Sequence, residues 1–228
     1  MIKHHTKSPL FHLIDQMLGA DIDHLEKMYQ ENRKNWQADP DNQTAALHCL
    51  ILKGYMRGID DAILLSKEEE TFLHNFLFTI DIWGHYELTL FSYCSTLLSI
   101  PLLTRYTQEL LNRSEFLKDI KHNRNTIHTL LLNGYLRCIG EEDFEHAAIF
   151  NNYIHKHFYT ENETYFRIVH HWARGWEQCK QDSKSEGIAK MKEAISIFRI
   201  LGCDASADYY QRTLDEELNN EPPILPRT

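Results

Sequence analysis

The residues best equipped for chemistry in this chain are its fourteen histidines and five cysteines, and their spacing decides what they can do. The densest histidine groups are His4-His5, His155 with His157, and His170-His171. Neighbours one or two residues apart on a helix point to different sides, whereas a helical zinc face needs its ligands about one turn apart. Cys49, Cys94, Cys138, Cys179 and Cys203 are odd in number, widely spaced and without a C-x-x-C pair. Neither a disulfide framework nor a metal site is indicated. The expectation is no metal and no cofactor, surface or packing roles for the histidines, and a reducing, cytoplasmic setting. His85 is the exception worth marking, because it lies in the densely aromatic WGHYELTLF. An unperturbed imidazole titrates at about 6.5, so His85 is the candidate for pH sensing.

Catalytic patterns are missing from the sequence. It contains no Gly-rich phosphate loop, no G-x-S-x-G and no H-E-x-x-H, and no acid pair that differs from an ordinary solvated helix face. The chain is expected not to be an enzyme. A formal charge of -9, from 24 Lys+Arg against 33 Asp+Glu, repels phosphate backbones and provides no basic stripe for nucleic acid. The most lipid-like run, Leu88 to Leu103, is interrupted by Ser, Thr and Pro101 before it could span a bilayer, and the N-terminus has no signal-peptide pattern. No membrane partner is expected.

The elements that must position any site are written in a repeat. HCLILKGYMRG (His48 to Gly58) returns 80 residues later as HTLLLNGYLRC (His128 to Cys138), and VHHWARGWEQC (Val169 to Cys179) again sets a small residue before an aromatic. With Cys94 of LFSYCSTLLS, the small positions are Gly54, Cys94, Gly134 and Gly175, separated by 40, 40 and 41 residues. Gly inside a helix costs about 1 kcal/mol relative to Ala, so close helix packing is its reason. Between the copies, SKEEETFLHNFLF, PLLTRYTQELLNR, EDFEHAAIFNNYIHKHF and SKSEGIAKMKEAISIFRIL carry helical periodicity with polar outer faces. Pro101 suits the first turn of a helix and Gly202 the end of one. These features predict an all-α, tetratricopeptide-like solenoid of helical hairpins, closed by a capping helix over about Ala205 to Leu218. Residues 9–218 form the expected helical-repeat domain, flanked by flexible ends at 1–8 and 219–228.

Such solenoids commonly hold an extended peptide on the concave face of the first helix of each pair. Asn133 and Arg137 sit four apart on one helical face, and a carboxamide pairs peptide backbone without regard to sequence. Arg124 is a candidate for a peptide carboxylate through a bidentate fork. Tyr135 and Trp176, like Tyr55, stand beside a small packing residue, where an aromatic either lines the groove or fills the repeat core.

DIWGHYELTLFSYCSTLLSI, LLTRYTQELLNRSEF, KHNRNTIHTLLLN and GIAKMKEAISIFRILGCDASADYYQRTL together resemble the Rgg/GadR/MutR family of bacterial transcriptional regulators. Trp83, Glu87, Phe91 and the IFRILGC ending at Cys203 are the most specific elements. The resemblance implies a homodimeric, cytoplasmic quorum-sensing regulator. Its helical-repeat domain would bind a short, mainly apolar peptide pheromone on the concave face. DNA would be contacted only through an N-terminal helix-turn-helix domain. The repeats begin almost at once after Met1, so that domain is expected to be absent here. This is either the regulatory half alone or a protein that naturally lacks a DNA-binding half.

Asn133 matches an inner-helix Asn that the family associates with peptide contact. Tyr93 stands where relatives are expected to carry Asn, which would alter the pocket. Tyr165 and Arg167 resemble a Tyr-x-Arg pair that serves either the dimer interface or the pocket. Two alternatives compete with the peptide reading: a constitutive protein-interaction scaffold, and a regulator that senses pH through histidines.

Overall fold

The computed structural model describes residues 8–113, 120–158, 160–181 and 183–219, and among them all regular structure is helical. Except for Ser8 and Asn219, the flexible ends expected from the sequence lie outside the described residues. Among the described residues eleven α-helices follow in chain order: α1 (Pro9–Met17), α2 (Ile22–Ala38), α3 (Gln43–Arg57), α4 (Lys67–Phe78), α5 (His85–Cys94), α6 (Ile100–Arg113), α7 (Lys121–Gly140), α8 (Phe144–His157), α9 (Thr164–Gln181), α10 (Lys184–Ile200) and α11 (Asp204–Asn219). A 3₁₀ turn, Ser95–Leu97, follows α5. The four helical stretches read from the sequence correspond to α4, α6, α8 and α10, and the capping helix to α11. Contacts divide the chain into two compact units, Met1–Ser99 with Gln108–Asn123, and Ile100–Thr107 with Arg124–Thr228.

Local signals account for the helix ends. Asp21 and Asn42 cap α2 and α3, each side chain accepting the backbone N–H three residues on, from His24 at 2.8 Å and Ala45 at 3.1 Å. Ser66 and Glu69 form a reciprocal capping box at α4, which satisfies two amides that the first helical turn leaves unpaired. Helix α10 ends in a Schellman motif on Gly202, whose φ is +71°. There the Cys203 N–H reaches the Phe198 carbonyl at 2.8 Å and the Gly202 N–H reaches Arg199 at 3.0 Å.

The end of α7 repeats that motif on a non-glycine residue. Asp143 donates to the Cys138 carbonyl at 2.8 Å and Glu142 to Ile139 at 3.1 Å, with Glu142 held at φ 57°. Left-handed backbone costs a side-chain-bearing residue roughly 1–2 kcal/mol. Glu142→Gly is therefore expected to stabilise the protein by about 0.5–1 kcal/mol once the added freedom of the unfolded chain is counted. Urea unfolding checks it: an unchanged or lowered midpoint contradicts the strain.

In the first unit the core gathers around Leu50, Ile51, Leu73, Leu88, Phe91 and Trp83, and α3 comes close to α5 at Gly54. A Cβ on Gly54 would overlap the Tyr93 carbonyl oxygen and lie 3.4 Å from the Cys94 Cα. Two of the small repeat positions thus pack against each other. The Thr96 hydroxyl, in the 3₁₀ turn, donates to the Gly54 carbonyl at 2.9 Å and seals the crossing.

In the second unit the same repeat positions meet other partners. Gly134 of α7 faces the Phe150 ring of α8, and Gly175 of α9 faces Gly187 and Met191 of α10. Trp172, Trp176, Tyr210 and Phe198 form the adjoining aromatic core, with Phe198 stacked on Tyr210 at 5.5 Å.

Candidate functional site

Helix α7 carries four of the residues singled out from the sequence, and its pattern of burial separates them into two kinds. Leu130, Leu131, Gly134, Tyr135 and Cys138 are buried. Thr126, Thr129, Asn133 and Arg137 are only half-buried, and their spacings of three, four and four residues set them on one stripe of the helix. Asn133 and Arg137 were singled out from the sequence; Thr126 and Thr129 are the polar positions that continue the same stripe. Every member is polar, so the stripe is made of hydroxyl, carboxamide and guanidinium groups. Arg137 is already engaged: its Nε donates to the Glu141 carboxylate at 2.7 Å. A ligand would compete with that pair, whose Glu141 end is exposed and which is worth no more than about 1 kcal/mol.

Tyr135 and Trp176, open by residue type to either groove or core, lie in the core. Both are fully buried, so neither ring presents surface to a ligand in this conformation. Each is anchored by its polar end. The Tyr135 hydroxyl donates to Glu177 at 2.6 Å and the Trp176 indole N–H to Glu217 at 2.9 Å. The partners stand 42 and 41 residues downstream, one repeat on, so the aromatics beside Gly134 and Gly175 each tie one repeat to the next. Burial and the Glu177 carboxylate both push the Tyr135 phenol far above its ordinary range.

Arg124 also has a resident partner. Its Nε lies 3.3 Å from the carboxylate of Glu163, a residue only 6% exposed, and His128 approaches the same carboxylate at 3.6 Å. His128 is buried and bonds through Nε2 to the His157 carbonyl at 2.8 Å. A peptide carboxylate would have to displace a buried acid from Arg124.

Tyr165 and Arg167 lie in the first turns of α9 and are exposed. Tyr165 rests on Phe166 and Phe198, while Arg167 stacks over the Phe158 ring at 4.7 Å and donates to the Thr160 carbonyl at 3.2 Å.

Tyr93 and His85 belong to the first unit, on α5. Tyr93 is half-buried with its ring 6.4 Å from Tyr55. His85 stacks on Phe11 at 5.0 Å and meets the edge of His122 at 4.4 Å. Burial, reinforced by His122, pulls its pKa below the ordinary imidazole value.

The most strongly perturbed imidazole is another one, His170 of α9. It is buried, bonds to the Asn151 side-chain oxygen at 2.7 Å, and is pulled down to about 3, first by burial and then by His155 and Arg174. The folded state therefore binds this proton less readily than the unfolded chain. Its contribution to stability is complete above about 6.5 and is lost progressively as pH falls from there toward 3. Melting temperature is expected to fall between pH 7 and pH 4.5, less steeply in His170→Asn. Equal slopes for the two proteins would contradict this assignment.

Fold and surface define the class: an all-helical repeat domain with an organised polar helix face. Among the described residues, no cluster of three His, Cys, Asp or Glu is arranged for a metal ion, and no helix is long and apolar enough to cross a membrane. Residues 25–212 match the C-terminal domain of the HTH-type transcriptional regulator Rgg, and the chain belongs to that family. It is similar to the SHP pheromone receptor Rgg2 of Streptococcus dysgalactiae, at 26% identity and a TM-score of 0.68 over 94% of this chain and 77% of that one. A proposed transcriptional regulator from Listeria monocytogenes EGD-e shares the fold, with a TM-score of 0.74 at 17% identity over 94% of this chain and 74% of that one. The family and the all-helical fold expected from the sequence are thus established.

Proposed function

We propose that this chain is a cytoplasmic, homodimeric, peptide-sensing regulatory domain, and that a short, mainly apolar peptide lies along the half-buried stripe of α7. The observation that carries the reading is that stripe. Four polar side chains are kept at the surface on the same helix whose other side is packed with Leu, Tyr and Cys. Family membership and the resemblance to a pheromone receptor support it. Asn133 pairs the backbone of the peptide through its carboxamide, Thr126 and Thr129 add hydroxyls, and Arg137 turns from Glu141 toward the ligand. DNA is contacted by a helix-turn-helix domain. Peptide acts on it by favouring one of two arrangements, which requires different affinities for the two.

Side-chain amide resonances test the placement. Addition of a binding peptide should shift the Asn133 carboxamide pair and the Thr129 methyl group, with residues on the buried side of α7 moving less. Saturable binding that leaves these signals still would place the peptide elsewhere.

One observation supports a second reading, pH sensing at His85: its imidazole is wedged between Phe11 and His122. A dimer equilibrium that moves between pH 5 and 7 without peptide, and no longer does so in His85→Phe, would favour it. The scaffold reading has no structural observation of its own.

A further inference from the structure

The first unit contains a cleft that the α7 reading does not use. Helices α1 and α2 both rest on α3, and the space between their facing sides remains open, with a volume of about 570 Å³. That is within the range of roughly 300–1,000 Å³ typical of small-ligand sites.

Its walls combine polar side chains with apolar surface. Gln16 and His12 project from α1, Asn32 and Asn35 from α2, and His48 from α3. Pro9, Leu13 and Met28 also line it, and apolar surface makes up more than half of the lining. Some of the groups are already oriented. His48 Nδ1 lies 3.1 Å from Asn32 Oδ1, the Asn32 amide donates to the Met28 carbonyl at 2.9 Å, and Gln16 approaches His12 at 3.2 Å.

The chemistry of this lining is selective. Neither Lys nor Arg contributes to it, and its one carboxylate is Glu31, so a phosphate or carboxylate ligand would find no fixed cation. The Asn35 carboxamide carries both donor and acceptor, and Asn32 and Gln16 retain a second N–H and further lone pairs beyond their bonds to Met28, His48 and His12; donors beside acceptors are the complement of a peptide bond. We infer that the α1–α2 cleft is a second ligand site, one that takes a short uncharged peptide segment through its backbone amides. This inference does not depend on where the α7 ligand binds.

The test uses the whole 228-residue chain and acetyl-Ala-Ala-Ala-amide as probe, followed by NMR of the Asn32 and Asn35 side-chain amides and the His48 ring. The expected result is saturable shifts at these groups. The same peptide with a free carboxylate should bind several-fold more weakly, and inorganic phosphate should not bind. Loss of one hydrogen bond corresponds to about a fivefold loss of affinity, expected for Asn35→Ala and for Gln16→Ala on the opposite wall. Both side chains are exposed, so both variants should fold. No saturable shift, shifts confined to other residues, equal binding of phosphate, or unaltered affinity in both cleft variants would each overturn the inference.

Discussion

Gly54→Ala is expected to be among the most destabilising single-methyl additions in this protein, at about 2–3 kcal/mol net of the helix propensity it gains. The new Cβ would overlap the backbone carbonyl oxygen of Tyr93, and no rotamer change can move a carbonyl. Relief requires α3 and α5 to separate, which also loosens the Thr96 hydrogen bond to Gly54. Gly134→Ala provides the contrast. Its Cβ would meet the Phe150 ring, a side chain that can turn, so its effect should be clearly smaller. Thermal unfolding separates the two, because about 1 kcal/mol corresponds to roughly 2–4 °C in a chain of this size. Equal effects would mean that the α3–α5 crossing is not backbone-limited.

The second large effect is expected at Glu69, a fully buried carboxylate of α4. Lys53 of α3 donates to it at 2.6 Å, Tyr29 of α2 at 2.7 Å and the Ser66 backbone at 2.7 Å, so one acid ties three helices together. Burial by itself would push this carboxyl up, yet the bonds from Lys53, Ser66 and Tyr29 hold it below the ordinary carboxylate range. Its contribution is therefore complete at neutral pH and is lost as pH falls below about 4.5.

Glu69→Ala leaves the Lys53 ammonium, itself 12% exposed, without its counter-charge. The expected cost is about 3–5 kcal/mol. Glu68→Ala, which breaks a more exposed pair with Arg33, should cost less than about 1 kcal/mol. Joining Lys53→Met to Glu69→Leu should recover much of the loss, since apolar replacement of a whole buried pair is often neutral. Comparable urea midpoints for Glu69→Ala and Glu68→Ala would contradict the account.

What could be read in the sequence, and what could not, follows from the range of the interactions. Helical segments were legible because periodicity, Pro101 and Gly202 act within a few residues. The small positions Gly54, Cys94, Gly134 and Gly175 were legible as a period. Their partners were not: Gly54 meets backbone, Gly134 a ring and Gly175 another glycine, a choice made by helices that pack from elsewhere in the chain.

The same limit explains Tyr135 and Trp176. An aromatic beside a packing glycine suits a groove or a core equally well by type. The deciding partners, Glu177 and Glu217, lie a full repeat away. The signal that could have found them is an acid placed one repeat length after each such aromatic, a relation that Tyr29 and Glu69, 40 residues apart, also obey. Asn133 and Arg137 were legible because helical geometry alone puts them on one face. Glu163 beneath Arg124 was not, because nothing in the local sequence of either residue points to the other.

Calorimetric titration of the folded protein with short apolar peptides encoded beside its gene, in wild type and in Asn133→Ala, tests the central claim most directly. The account predicts saturable binding to the wild-type protein and a loss of about tenfold or more in the variant, with unfolding of the two proteins alike. Tight binding that survives Asn133→Ala unchanged, or no heat with any such peptide from a folded dimer, would contradict it.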